Sequence, residues 1–354
     1  MGLSSLYAVC LVGAVAAETP LSLADLLERY RGGGREEVVS EVAAWPRERV
    51  WKHVERVQGR VQGKQDLGGP LTLVVMLHTD AALLDRARRR AFGSDLQMEA
   101  ARAFVRLVPA DPVGASFARR WYLGVASYEQ GLWDAGRARS LLEEARRRFP
   151  QDAELLVALG SVDEMEGSLP PPSPPPPAVA RPGGILVRSY DASAHDRREE
   201  LMKAEESYRQ ALALEPGLGE ARLRHARVLA RLGEGAESLA ELGRVLEGPV
   251  DERARYLAHL FAGHVLEEGG RPEEAVAAYR RAVEAAPRCQ AGRLALAHAL
   301  DGLRSQEGAA LVLLQAITPD DAEGGRRDPW WTYPFGQADR VGSILDGLRR
   351  EAGQ

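Results

Sequence analysis

Ala275-Val-Ala-Ala-Tyr279-Arg-Arg-Ala282, followed by Pro287, is the stretch from which the fold can be read. Its two small residues and its aromatic residue stand four and three apart, which places all three on one face of a helix. The pattern recurs upstream in Ala204-Glu-Glu-Ser-Tyr208-Arg-Gln-Ala211 with Pro216, and downstream in Ala309-Ala-Leu-Val-Leu313-Leu-Gln-Ala316 with Pro319. The step from Ala275 to Ala309 is one period, and the step from Ala204 to Ala275 is two such periods with three positions to spare. A degenerate copy fits between Ala204 and Ala275, with Gly233 closing its first helix and Ser238, Leu242 and Val245 at the packing positions. A fixed period of this length marks stacked helical hairpins, each of which buries its apolar face only against its neighbours.

These residues resemble the tetratricopeptide repeat family, whose unit of about 34 residues carries small, aromatic, small and Pro at these offsets. The resemblance implies that Ala204, Ala275 and Ala309 let two helices approach closely, and that Tyr208 and Tyr279 fill the space between repeats. Pro216 and Pro287 end the second helix, while Gly263 and Gly270 fall at the small residue of the first helix and at the inter-helix turn. An earlier copy runs from Trp121-Tyr-Leu123-Gly124 through Ala138, Leu142, Ala145 and Pro150, with a slightly lengthened turn at Gly131-Leu132-Trp133. Another first helix starts at Ala153 but is followed by Gly167-Ser-Leu-Pro170 and a proline run to Pro177. Such a run favours polyproline II. Residues 167–196 therefore read as a proline-rich disordered insertion that splits one repeat, whose second helix holds Ala204.

Outside the repeats the pattern is helical but less regular. Ser22 can cap a helix with Leu23, Leu26, Leu27 and Tyr30 on its apolar face, and the Gly32-Gly33-Gly34 turn leads to a second with Val38, Val39, Val42 and Trp45. The apolar run Leu71–Leu77 suits strand or buried helix by periodicity alone; Pro70 at a first helical position favours helix. The chain is thus expected to be all-α, a helical-hairpin solenoid with a C-terminal capping helix that carries Val341, Ile344, Leu345 and Leu348 on one face. The expected divisions are 1–17, a signal peptide; 18–112, divergent hairpins; 113–166, repeats; 167–196, the insertion; 197–321, repeats; and 322–354, an aromatic segment and the cap.

Composition narrows the partners. Forty-six basic residues face 51 acidic ones, a net charge of −5, so no basic field attracts nucleic acid. The arginine runs at 86–90 and 146–148 read as solvated helix faces. Leu6–Val15 is apolar and ends in an Ala14-Val15-Ala16 cleavage pattern, which predicts export to the periplasm or beyond; if the segment is not a signal peptide, the chain is cytoplasmic. The stretch falls short of the roughly 20 apolar residues of a membrane span. Removal of the leader takes Cys10 with it and leaves Cys289 alone, so packing and not disulfides must hold the fold.

No catalytic motif stands in the sequence: there is no nucleophile elbow, phosphate loop, dinucleotide fingerprint or zinc spacing, and no cofactor is expected. His264 and His298 are one period apart and so occupy equivalent positions, beside Glu267 and Glu268; a metal-dependent enzyme built on them is the weakest reading. The resemblance implies instead a concave groove for a protein or peptide, formed by Glu220, Leu223, Arg227, Arg231, Leu257, Leu260, His264, Glu267, Leu294, His298 and Asp301. Some family members clamp a terminal carboxylate with Lys and Asn here; Leu223, Leu260 and Leu294, then Arg227, His264 and His298, do not reproduce that clamp, which points to an apolar segment. Asp328-Pro-Trp330-Trp331-Thr-Tyr333-Pro-Phe335-Gly336 is a second candidate interface, since Trp and Tyr anchor interfaces. Its bland reading is a cover for the open end of the array. The expected function is a non-enzymatic interaction scaffold. The alternative is a structural subunit of an envelope assembly that docks through 328–336. The sequence sets no oligomeric state.

Overall fold

A computed structural model describes residues 22–63, 68–89, 95–168, 194–317, 328–336 and 338–353. Among them every regular element is helical, as the 3.6-residue periodicity predicts. The leader with Cys10, most of the proline-rich insertion, Pro319 and residues 322–327 lie outside the described residues. The chain forms two units, residues 1–115 with 349–354, and residues 116–348.

The first unit contains α1 (Leu23–Arg31), α2 (Arg35–Ala43), α3 (Arg47–Gln62), α4 (Gly68–Arg89) and α5 (Leu96–Val105). Ser22 starts α1 with a capping box: its hydroxyl accepts from the Asp25 amide while the Asp25 carboxylate accepts from the Ser22 amide, both at 3.1 Å. Leu23, Leu26, Leu27, Tyr30, Val38, Val39 and Val42 are buried, so the apolar faces read from the sequence are core faces. Leu71–Leu77 lie inside α4, which begins two residues before Pro70.

Two polar clusters are enclosed in this unit. The Asp80 carboxylate accepts from the Tyr30 hydroxyl at 2.8 Å, from Arg35 at 2.6 Å and from Arg349 at 2.8 Å. Burial and then the Asp80 charge push the Tyr30 hydroxyl up. The His53 and His78 rings lie 5.3 Å apart among Trp45 and Phe104. The Gln97 amide donates to the Val42 carbonyl at 2.6 Å, so its oxygen faces His78 Nδ1 at 2.7 Å and fixes the proton there. Burial pulls His78 down to about 4 and His53 to about 3, the latter helped by the charge that His78 would carry.

The second unit is a series of hairpins: α6 (Pro112–Gly131) with α7 (Ala135–Arg148), α8 (Ala153–Ser168) with α9 (Ala194–Leu214), α10 (Gly219–Leu232) with α11 (Gly235–Glu247), α12 (Glu252–Glu268) with α13 (Pro272–Ala285), and α14 (Gln290–Gly302) with α15 (Gln306–Ile317). The first helices α8, α10, α12 and α14 also touch one another in sequence, which makes them one continuous face, here called the inner face. Helices α8 and α9 are mates, with the Tyr208 ring against Gly160 and Leu201 against Gly167. Gly167, Ser168 and residues 194–196 are helical, and lie outside the insertion to which the sequence assigned them.

The C-terminal segment differs most from expectation. After α16 (Pro329–Thr332) and two 3-10 turns, α17 (Val341–Gly353) sets Ile344 and Leu345 against Gly124 of α6, at the opposite end of the array from α15. Leu311, Leu313 and Leu314 of α15 remain exposed, so α17 does not close the end that precedes it in sequence.

Candidate functional site: the inner face of the repeats

The inner face is shaped by what each hairpin places twelve positions before its small residue, the insertion between α8 and α9 set aside. The pairs are Ala126 with Leu142, Gly160 with Tyr208, Ala226 with Leu242, Gly263 with Tyr279 and Ala297 with Leu313. Ala–Leu and Gly–Tyr hairpins alternate along the array. The glycines are required by the rings: a Cβ at Gly160 would lie 2.7 Å from Tyr208 Cε1, and one at Gly263 would overlap the Tyr279 ring. Passing through that gap, each tyrosine reaches the inner face and donates to a carboxylate four residues beyond its glycine. Tyr208 bonds Glu164 at 2.7 Å and Tyr279 bonds Glu267 at 2.8 Å.

Around Glu164 the face is a buried charge network. Its carboxylate also accepts from Arg224 at 3.0 Å and from Arg227. Arg224, only 1 % exposed, bonds Glu220 at 2.8 Å as well, and Arg253 reaches Glu220 at 3.1 Å. Burial and then the Glu164 charge push the Tyr208 hydroxyl well up, so it stays a donor.

Residues 328–336 lie on this face. Asp328, 1 % exposed, places its carboxylate at the N-terminus of α14, where it accepts from the Ala291 amide at 2.7 Å and from the Tyr256 hydroxyl at 3.1 Å. The Trp330 ring lies 5.9 Å from Phe261 and 6.2 Å from His264. Tyr333, also 1 % exposed, covers Arg224, whose guanidinium is 4.2 Å from the ring centre. Arg224 then donates to the Gly336 carbonyl at 2.6 Å. Gly336 has a φ of +65°, and any Cβ there would overlap the Gln130 amide of α6. The segment runs from α14 past α12 and α10 to α6, against the order of the repeats, held by side chains and by its own backbone. Trp331 points outward and is 47 % exposed. Phe335's side chain lies outside the described residues.

This occupancy redraws the groove read from the sequence. Leu223, Leu257 and Leu260 are core residues in the cluster that includes Tyr333, so no open apolar strip exists at these three positions. They are buried in the apolar core that the successive hairpins share. Leu294 is half-buried, and Asp301 is exposed. Glu220 and Arg227 are tied into the Glu164 network. His298 Nδ1 lies 2.9 Å from Glu267, while His264 Nδ1 lies 3.4 Å from the Tyr279 hydroxyl, so the two imidazoles meet different members of one bonded pair. What stays open is a cavity of about 520 Å³ between α10 and α12, lined by Arg227, Arg231, Phe261, His264, Glu268 and Trp330. Elsewhere Asp163, Glu166 and Glu200 converge, but Arg139 bonds all three, which makes them an ion-pair cluster.

Sequence reasoning missed Arg224 because a buried arginine looks like any charged helix residue until its partners are known. The Gly–Tyr alternation, by contrast, is written in the sequence, at positions twelve and sixteen apart within each uninterrupted hairpin.

Residues 262–323 match the model of the tetratricopeptide repeat family. This part of the chain carries tetratricopeptide repeats. Solved structures that are similar include that of PilF from Pseudomonas aeruginosa, at 16 % identity over 66 % of this chain and 90 % of that one, with a TM-score of 0.46. PilW, a type IV pilus biogenesis factor, is 17 % identical over 68 % of this chain and 91 % of its own, with a TM-score of 0.45. YrrB, described as a tetratricopeptide repeat protein with an unusual peptide-binding site, is 18 % identical over 57 % and 88 %, with a TM-score of 0.36. No curated protein matches the sequence. Among the described residues no helix is long and apolar enough to cross a membrane.

Proposed function

We infer that the chain is a non-enzymatic scaffold that holds a segment of a protein partner on the inner face of residues 116–348. The observation that carries this reading is that the face already holds a peptide segment. It binds 328–336 by a carboxylate at a helix N-terminus, a ring over a guanidinium and a backbone carbonyl on Arg224. These are the contacts by which one chain recognises a stretch of another. The open cavity between α10 and α12 continues the same trough and offers a cation in Arg231, an imidazole in His264 and two aromatic walls in Phe261 and Trp330. The partner groove is accordingly smaller than the sequence implied and centres on Arg227, Arg231 and His264.

A photo-crosslinking amino acid at position 231 tests this in the native organism. The expected result is one dominant adduct, whose mass spectrum maps to one segment of one protein, and which is absent with the crosslinker at exposed Arg209 on α9. Equal adducts from both positions would overturn the reading. The alternative of docking through 328–336 is less favoured, because Asp328 and Tyr333 face inward and, among the described side chains of the segment, leave only Trp331 well exposed.

A further inference from the structure

We propose that residues 328–336 are a built-in competitor, and that the partner's segment shares their chemistry: an acidic residue followed at short range by aromatic residues. The proposal rests on the scaffold reading above and names the class of partner that the inner face takes.

Three observations carry it. First, the floor beneath the segment is charged in part, beside the apolar core to which Tyr333 also belongs. Tyr333 covers Arg224, and around Arg224 lie Glu164, Glu220, Arg227 and Arg253. The hydrogen-bonding groups of that network can exchange the segment only for another chain that offers the same partners and covers the same core. Second, the segment is fastened at its two ends, by Asp328 at α14 and by Tyr333 with Gly336 at Arg224, and between them Trp331 is half exposed. Third, the cavity of about 520 Å³ opens directly beside Trp330, where an incoming segment can begin to replace the resident one.

Each anchor specifies a feature of the incoming segment. The amide of Ala291 and the Tyr256 hydroxyl ask for a carboxylate. Phe261 and His264 ask for a large ring, and Arg224 asks for a second ring and for a carbonyl three residues after it. A partner with these features gains its contacts as the resident segment gives up the same ones, so the difference in affinity, and not the whole binding energy, sets the exchange.

A labelled nonapeptide, Asp-Pro-Trp-Trp-Thr-Tyr-Pro-Phe-Gly, is the probe. Fluorescence anisotropy against the full chain, against the double variant Asp328→Ala/Tyr333→Ala and against Gly336→Ala should show binding to both variants roughly tenfold or more tighter than to the unaltered chain. A peptide with Tyr replaced by Ala should bind neither. Variants that keep the helical circular-dichroism signal yet bind the peptide no better than the unaltered chain overturn the proposal. Hydrogen exchange on the unaltered chain serves where the variants do not fold. Excess peptide should speed exchange at the Trp330–Tyr333 amides and leave those of α10 and α12 unchanged, and no change at 330–333 overturns it. If the chain dimerises and the peptide splits the dimer, the occupant is a second copy and the separate partner is overturned. A crosslink at position 231 without any effect of the peptide leaves the scaffold reading intact and removes this one, whereas failure of both removes both.

Discussion

The hairpins α8/α9 and α12/α13 are built alike and used differently. Each sets a tyrosine against a glycine and sends its hydroxyl to a glutamate on the inner face. At the first, the following helix α10 supplies Arg224 and Arg227, Tyr333 covers Arg224, and Glu164 is 2 % exposed. At the second, α14 supplies Ala295 and His298 at the equivalent positions, and His298 is 80 % exposed. One scaffold thus gives a buried charge centre or an open polar edge, and the next helix in the array decides which.

Removing the carboxylates should separate the two most strongly. Glu164→Ala leaves two arginines buried beside an empty space and should cost about 3–5 kcal/mol in urea unfolding, whereas Glu267→Ala, at a half-exposed pair, should cost less than about 1 kcal/mol. Gly263→Ala forces the Tyr279 ring aside and should cost about 3 kcal/mol. Adding Tyr279→Leu should recover most of that loss, because Ala–Leu is the pairing in the neighbouring hairpins. No recovery would mean that the alternation is accidental.

Acid separates the two units. His53 and His78 fall below their unfolded value, so the unfolded state binds more protons between about pH 6.5 and the folded values of about 3 and 4. Stability of residues 22–105 should therefore fall as pH drops below about 6.5, by about 2 kcal/mol for each imidazole at pH 5, and be regained on return to neutrality. Among the described residues, 116–348 hold no fully buried histidine, so near-ultraviolet signals from Trp45 should change before those of Trp121. The smallest contrast is in the hydroxyls. Tyr208→Phe should cost about 1–2 kcal/mol and Tyr279→Phe about 0.5 kcal/mol, since only the first leaves a fully buried carboxylate short of a donor.

The array was legible in the sequence because the spacing of Ala204, Tyr208 and Ala211 is imposed locally by helix geometry and repeated by its neighbours. Burial of Leu26 and Val42 followed from periodicity for the same reason. The place of 328–336 was not legible, because it depends on contacts with helices far away in the chain, such as Arg224 with Gly336. Leu223, Leu257 and Leu260 do not line an open groove because they are buried in the core shared by the hairpins, which helical periodicity alone does not distinguish from an open inner face. The position of α17 was hidden likewise: its apolar face announces that it packs, but only the fold shows that Gly124 receives it.

The alternation of Gly–Tyr with Ala–Leu hairpins gives the array a natural step of four helices, not two. Loss or duplication of a single hairpin by recombination would set two hairpins of the same kind side by side and shift which first helix follows each glutamate. Arrays that grow or shrink by pairs of hairpins keep a charge centre where they had one. The stretch from Tyr208 to Tyr279 is thus the length of the unit that can be copied without rewiring the inner face.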